Sequence, residues 1–302
     1  MATDATPNPQ PIPLWRYVQC AVVGMALAAI LVMGLAVGYL KLREDELVFR
    51  TAESHLSAQA APPVPDTQRT LITTADGSNL VGIVLRAAPE KNNGLWILHL
   101  HGNADSTFSA PQRKHIELLR SLGFSVLSFD YRGFGLSPGT ASEAHMYEDA
   151  DAAYHYLLRY GIEAKHIVLW GHSLGSGPAT YLATQNEAAA LVLFGAFTSV
   201  PEAAQDIYPW LPVKWVARIH FDSRARLPNV HIPVLIAHSL TDTTIAYYHA
   251  QELYSVANEP KQLLALHSAP DGYGGHLQGL YDRPDLIVEN LSKLMAVDLG
   301  VR

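Results

Sequence analysis

The chain reads as an α/β protein with a mostly parallel central sheet, helices on both faces and a single apolar helix ahead of it. Three observations predict this. From residue 95 onward, short apolar runs alternate with helix-like stretches of about 12 residues; strands apolar on both sides need cover on both faces, as parallel sheets with crossover helices have. A glycine-flanked serine, Gly171-His172-Ser173-Leu174-Gly175, stands where one such strand gives way to a helix. Upstream lie 23 consecutive uncharged residues, 18–40.

Taken in order, Pro7, Pro9, Pro11 and Pro13 exclude a regular helix from the start of the chain, so residues 1–17 read as a disordered tail. As a helix, residues 18–40 would extend about 34 Å at roughly 1.5 Å per residue, enough to cross a bilayer. Trp15, Tyr17 and Tyr39 sit where interfacial aromatics belong. The stretch is longer than the apolar core of a cleaved signal peptide, about 7–15 residues. It therefore reads as an uncleaved transmembrane anchor that makes the membrane a partner. Arg16 flanks one end and Lys41 and Arg43 the other, a balance that assigns no orientation. Residues 41–66 read as a stalk and linker, helical at first and then loose over 60–65.

The folded domain is expected over 67–302. Residues 70–74 and 80–86 flank Ala75-Asp76-Gly77-Ser78, a hairpin pattern. Strands are expected at 95–100, 125–129, 167–170, 190–194, 233–237 and 262–266. Helices are expected at 109–122, 142–160, 178–185 and 285–297, with Ser142 a natural N-cap.

Composition excludes several functions. The net charge of −7 and the lack of a basic stripe give nucleic acid no purchase. The 14 histidines are scattered without metal-ligand spacing, so neither metal nor cofactor is expected. Cys20 is the only cysteine, which excludes an internal disulfide framework.

The serine motif carries the chemistry. A serine on a sharp strand-to-helix turn needs small neighbours two positions away on either side, and Gly171 and Gly175 supply them. Its hydroxyl also needs a base, and the base a carboxylate. In parallel sheets these groups sit on loops at the carboxyl ends of strands. Asp242 follows the expected strand at 233–237, and His276 follows the glycine-rich loop 271–275. His267 and His249 are the rivals for the base, but the first would end a strand and the second lies in a helix-like stretch. The oxyanion of an acyl-transfer intermediate needs backbone donors. Those expected are the N–H groups of Leu174 and of Asn103, in the turn His101-Gly102-Asn103-Ala104. His101 is expected to brace that turn, and His172 to point away from the reacting centre.

Together, His101-Gly102-Asn103, the run from Asp130 to Ser137, the serine motif and Phe221-Asp222-Ser223 resemble the small-lid α/β-hydrolase-domain proteins. That group is related to serine aminopeptidase-like hydrolases and includes membrane-associated acyl-protein thioesterases. The resemblance spans residues 70–297 and implies the α/β-hydrolase fold. It also implies Ser173 as nucleophile, Asp242 as acid and His276 as base, with the backbones of Asn103 and Leu174 as oxyanion hole. The order serine, aspartate, histidine is the one this fold uses. Asp130 to Gly133 are read as structural. The chain departs from the family pattern in having His238-Ser239 where His-Gly is usual, with the spacing to Asp242 kept. The loop before His276 is also longer and richer in glycine.

A short insertion at about 197–228 reads as a lid too small to be a separate domain. Its Phe197, Tyr208, Trp210 and Trp215 are candidates to line an acyl pocket or face a membrane; packing onto the core is the alternative for each. The favoured reading is a membrane-anchored serine hydrolase acting on esters or thioesters of acyl or lipid-like substrates. The same chemistry on peptides or amides, and a non-catalytic binding protein of this fold, stay open.

Overall fold

The computed structural model describes residues 13–59, 67–267, 275–276 and 278–296. The expected loose segment 60–65 and most of the loop 271–275 lie outside them, as do residues 1–12 of the tail. The first helix, α1 (Leu14–Val48), starts immediately after Pro13, so residues 14–17 are helical rather than part of a tail. Proline suits that boundary because its fixed φ needs no helical hydrogen bond. Helix α1 is long and apolar enough to cross a membrane, and its most apolar 18 residues bury nothing.

Eight strands form one sheet: β1 (Gln68–Thr73), β2 (Asn79–Leu85), β3 (Trp96–Leu100), β4 (Ser125–Phe129), β5 (Ile167–His172), β6 (Ala190–Phe194), β7 (Val234–Ser239) and β8 (Lys261–Leu266). Their spatial order is β1-β2-β4-β3-β5-β6-β7-β8. The β1–β2 hairpin and the β2–β4 pair are antiparallel, and all other neighbours are parallel. The remaining helices are α2 (Thr51–Gln59), α3 (Ala110–Ser121), α4 (Glu143–Arg159), α5 (Ser176–Gln185), α6 (Val200–Ile207), α7 (Val213–Val216), α8 (Ser223–Arg226), α9 (Tyr248–Val256), α10 (Gln278–Asp282) and α11 (Pro284–Met295). Ser109 and Ser142 cap α3 and α4 by accepting from the backbone N–H groups of Gln112 and His145.

Strand alternation divides the core in two. Leu98, Leu169, Leu193 and Ile236 point to one face, where α4, α5 and α9 pack. Ile97, Val168, Val192 and Leu235 point to the other, against α3 and α11. Each such fully buried side chain contributes about 1.5–3 kcal/mol by leaving water.

The segment expected to be a stalk is packed onto this domain. Phe49, between α1 and α2, is buried with its ring 6.5 Å from Phe134 and 6.2 Å from Phe221. Glu44 is buried too: it accepts from the backbone N–H groups of Arg218 and Ile219 at 2.6 and 2.8 Å, and from Arg218 Nε at 3.0 Å. The stalk expectation missed this because helical, charge-rich sequence does not reveal which single aromatic will find a core.

Candidate active site

Ser173 follows β5 directly and opens a 3₁₀ turn, Ser173–Gly175, which runs into α5. Its φ is +49°, a left-handed conformation that costs a non-glycine residue energy unless the surroundings hold it. The flanking glycines are obligatory for steric reasons. A Cβ on Gly171 would lie 2.6 Å from Ala179 Cβ, and one on Gly175 would lie 2.6 Å from the carbonyl oxygen of His101. The Leu174 N–H sits in the first turn of this segment, where backbone donors have no intrahelical acceptor.

The turn after β3 lies opposite. Asn103 folds its Oδ1 onto the Ala104 N–H at 2.8 Å, and Ala104 has φ +58°. His101 braces the turn as expected. It is buried, its Nδ1 donates to the Gly102 carbonyl at 2.8 Å, and its ring packs on Tyr131 and Phe134. Asp130 ties this turn to its neighbours, accepting from Ser106 Oγ and from the N–H groups of Thr107 and Leu136 at 2.7–2.9 Å. Burial pushes its carboxyl up, against the pull of His101 and these hydrogen bonds.

Asp242 lies just beyond β7. Its Oδ1 accepts from the N–H groups of Thr244 and Ile245 at 2.8 and 2.9 Å, and its Oδ2 accepts from His276 Nδ1 at 2.5 Å. Burial pushes its carboxyl up, but hydrogen bonds from His238 and His276 outweigh that and hold it well below the usual carboxylate range. His238, beside the Ser239 that departs from the family pattern, supports the loop through its Nε2, 2.9 Å from the Ile245 carbonyl and 3.3 Å from Asp242 Oδ2.

His276 Nε2 is buried and has no hydrogen-bond partner among the described residues. It shares with Ser173, Leu174 and Asn103 a cavity of about 630 Å³, within the usual size range of small-molecule sites. Asp242 and His276 are therefore hydrogen-bonded, whereas Ser173 and His276 share the cavity without a hydrogen bond. Catalytic contacts of this kind often close only when substrate is bound.

Of the four lid aromatics, Phe197 lines the cavity and Tyr208 lines a smaller one beside it. Trp210 and Trp215 line neither and are 60% and 89% exposed; they stand on the outside of the lid. His172 also differs from expectation. It lines the cavity with its ring 5.2 Å from that of His276, and burial followed by the neighbouring His276 holds it well below the usual histidine range, so it stays neutral.

Several contributors left no motif to find. Gly195 has φ +56°, and a Cβ there would lie 2.8 Å from His276 Cε1; its lack of a side chain makes room for the imidazole. Leu47, Val48, Arg50 and Ser57 of the N-terminal segment line the cavity. The Arg50 N–H donates to Asn103 Oδ1 at 3.0 Å. Ser54 Oγ bridges the Asp105 carbonyl and the Gly135 N–H.

Comparison with known proteins agrees with this architecture. The family described as alpha/beta hydrolase fold matches residues 96–231. Alpha/beta hydrolase domain-containing protein 17B of Xenopus tropicalis is 31% identical over 212 residues, 68% of this chain and 71% of that one. The lysophosphatidylserine lipase of Danio rerio is 35% identical over 185 residues, 55% of this chain but only 48% of its own length. Among solved structures, an esterase of Pyrococcus furiosus superposes with a TM-score of 0.61 at 22% identity, covering 78% of this chain and all of that one.

Proposed function

Because the chain belongs to the α/β-hydrolase family, we propose that it is a membrane-anchored serine hydrolase cleaving carboxylic ester or thioester bonds of acyl or lipid-like substrates. One observation carries the reading: Ser173, held at φ +49° on its turn, shares a cavity with a histidine whose far nitrogen is tied to a buried carboxylate at 2.5 Å.

The chemistry follows from these positions. Asp242 accepts a hydrogen bond from the Nδ1–H of His276, which leaves Nε2 as the basic nitrogen toward the cavity. Ser173 Oγ attacks the acyl carbonyl as its proton passes to Nε2, and a C–O bond forms to the serine. The carbonyl oxygen becomes an oxyanion, stabilised by the N–H groups of Asn103 and Leu174. Collapse expels the alcohol or thiol, which takes the proton from Nε2. Water then repeats the sequence, releasing a carboxylic acid and restoring Ser173. Asp242 remains ionised throughout.

Support for an acyl or lipid-like substrate comes from the apolar helix α1 and the apolar residues Leu47, Val48, Phe197 and Val200 around the cavity. A relative named as a lysophosphatidylserine lipase points the same way. Labelling by a fluorophosphonate probe tests the reading. Wild type is expected to label and Ser173→Ala not to; unlabelled, folded wild-type protein would overturn it.

A further inference from the structure

The lid exposes three large apolar side chains, Ile207, Trp210 and Trp215. A cluster of such groups on one short segment marks a surface that meets something other than water. What it meets follows from where α1 holds it. Helix α7 packs against the domain-proximal turns of α1, with Val213, Val216 and Ala217 facing Leu40, Lys41 and Glu44. The uncharged stretch of α1 ends at Leu40. From Leu40 to Glu44 the helix rises about 6 Å at roughly 1.5 Å per residue. The headgroup layer on each side of a bilayer is about 5–8 Å deep. With residues 18–40 in the hydrocarbon, α7 therefore stands level with the headgroups, where tryptophan is enriched.

Helix α1 carries a second sign of this placement. Residues 14–32 are all exposed, whereas Met33, Ala36, Val37, Gly38 and Leu40 are half-buried. Positions 33, 36, 37 and 40 share one helix face. A helix standing alone would be exposed on every face, so the domain begins to cover α1 inside the uncharged stretch. That cover reaches about 10 Å below Leu40, at roughly 1.5 Å per residue. Charge does not oppose the arrangement. Glu44 and Asp45 pair with Arg218, Glu202 pairs with Lys214 and Arg224, and Asp206 accepts from Tyr248 and His249.

We propose that the lid is a second membrane contact: Trp210 and Trp215 seat in the headgroup layer of the bilayer that α1 crosses, with Ile207 beside them. Attachment through α1 alone leaves the domain free to turn about the helix axis. A second contact on the lid fixes how the domain sits. Helix α6 ends in Ile207 and lines the Ser173 cavity through Val200, Ala203 and Ala204, so the contact holds that wall of the cavity beside the bilayer surface. The inference rests on the membrane anchor of the proposed function, and not on the chemistry at Ser173.

The test uses the full chain with its only cysteine removed, Cys20→Ser, in phosphatidylcholine vesicles. A nitrobenzoxadiazole label is attached at one position at a time: Trp210→Cys, Trp215→Cys, Ile30→Cys in mid-span, and Lys165→Cys. Lys165 is exposed just ahead of β5, at the end of the sheet away from Ser173. Nitroxide-bearing phosphatidylcholine is expected to quench the labels at 210 and 215 severalfold more than the label at 165, and aqueous iodide to do the reverse. The label at 30 should be quenched by the lipid nitroxide and not by iodide, which reports the anchor separately. Equal quenching at 165 and at either lid position, with 30 quenched from the lipid, would overturn the lid contact and leave the anchor intact. A lid label reached by neither quencher would report a protein partner and overturn it as well. Absence of lipid quenching at 30 would overturn the anchor and the lid contact together. Trp210 and Trp215 are exposed, so neither substitution removes core packing.

Discussion

Two regions meet across the active-site cavity and are held by different means. On the sheet side, Ser173, Asp242 and His276 sit on turns at the carboxyl ends of strands. Their geometry is enforced by backbone: φ +49° at Ser173, the carbonyl of His101 against Gly175, and two N–H groups locking Asp242. On the opposite side, residues 44–59 belong to no sheet. They are held by one buried ring, Phe49, by the carboxylate of Glu44 and by the hydroxyl of Ser54. The contrast separates two roles in one pocket. In the proposed reading the sheet edge carries the reacting atoms, and the docked segment forms the opposite wall of the cavity. A strand-end turn tolerates almost no change, whereas a docked segment can vary as long as its few anchors remain.

The largest expected effects belong to the sheet side. Ser173→Ala should reduce ester turnover about a thousandfold or more, on the scale seen when triad members are removed, as steady-state kcat will register. Gly195→Val comes next. It forces a branched residue into φ +56° and into the space of the His276 ring. Turnover should fall about a hundredfold, the cost of displacing a catalytic group by roughly 1 Å. Normal turnover in this variant would show that the sheet side is less rigid than described.

The docked side should respond more through structure than through chemistry. Phe49→Ala empties a buried aromatic site, a change that costs about 3–5 kcal/mol in a core. Amide exchange over residues 44–59 should rise sharply, with a smaller loss of turnover. Ser54→Ala leaves the Gly135 N–H and the Asp105 carbonyl without their shared partner, a cost of about 1–3 kcal/mol. A severalfold fall in kcat is expected, because the same segment steadies the turn carrying Asn103.

How much of this could be read from the sequence follows the same division. The serine motif, the hairpin, each expected strand from 95 to 266 and the positions of Asp242 and His276 were legible, because they depend on local patterns: glycine spacing, apolar runs and strand ends. Phe49, Glu44 and Gly195 were not. Their roles depend on residues far away in the chain, Phe221 and Arg218 for the first two and His276 for the third. No local pattern encodes such a meeting. Trp210 and Trp215 show the converse: they line neither cavity, and an aromatic in a lid gives no sign in sequence of whether it faces a pocket or faces outward, where a membrane would lie.

The smallest predicted effect is on pH dependence. His115 lies in the core below the site; burial and the neighbouring His172 push it down to about 3. Unfolded, it would titrate near 6.5. Between about pH 6.5 and 3 the unfolded state therefore binds the extra proton, so stability is full above this window and is lost as pH falls through it. His115→Leu removes that term. Chemical denaturation at pH 7 and about pH 4.5 should show a smaller loss on acidification in the variant than in wild type.

The central claim is that the reacting groups and the docked segment form one site, while the exposed part of α1 serves as a tether. The most direct measurement is the rate of fluorophosphonate labelling at Ser173 in two truncated chains, residues 41–302 and residues 60–302. The longer chain is expected to label as fast as the full chain, and the shorter one much more slowly while still folded by circular dichroism. Equal labelling of the two would contradict the account, reducing residues 44–59 to the stalk they resemble in sequence.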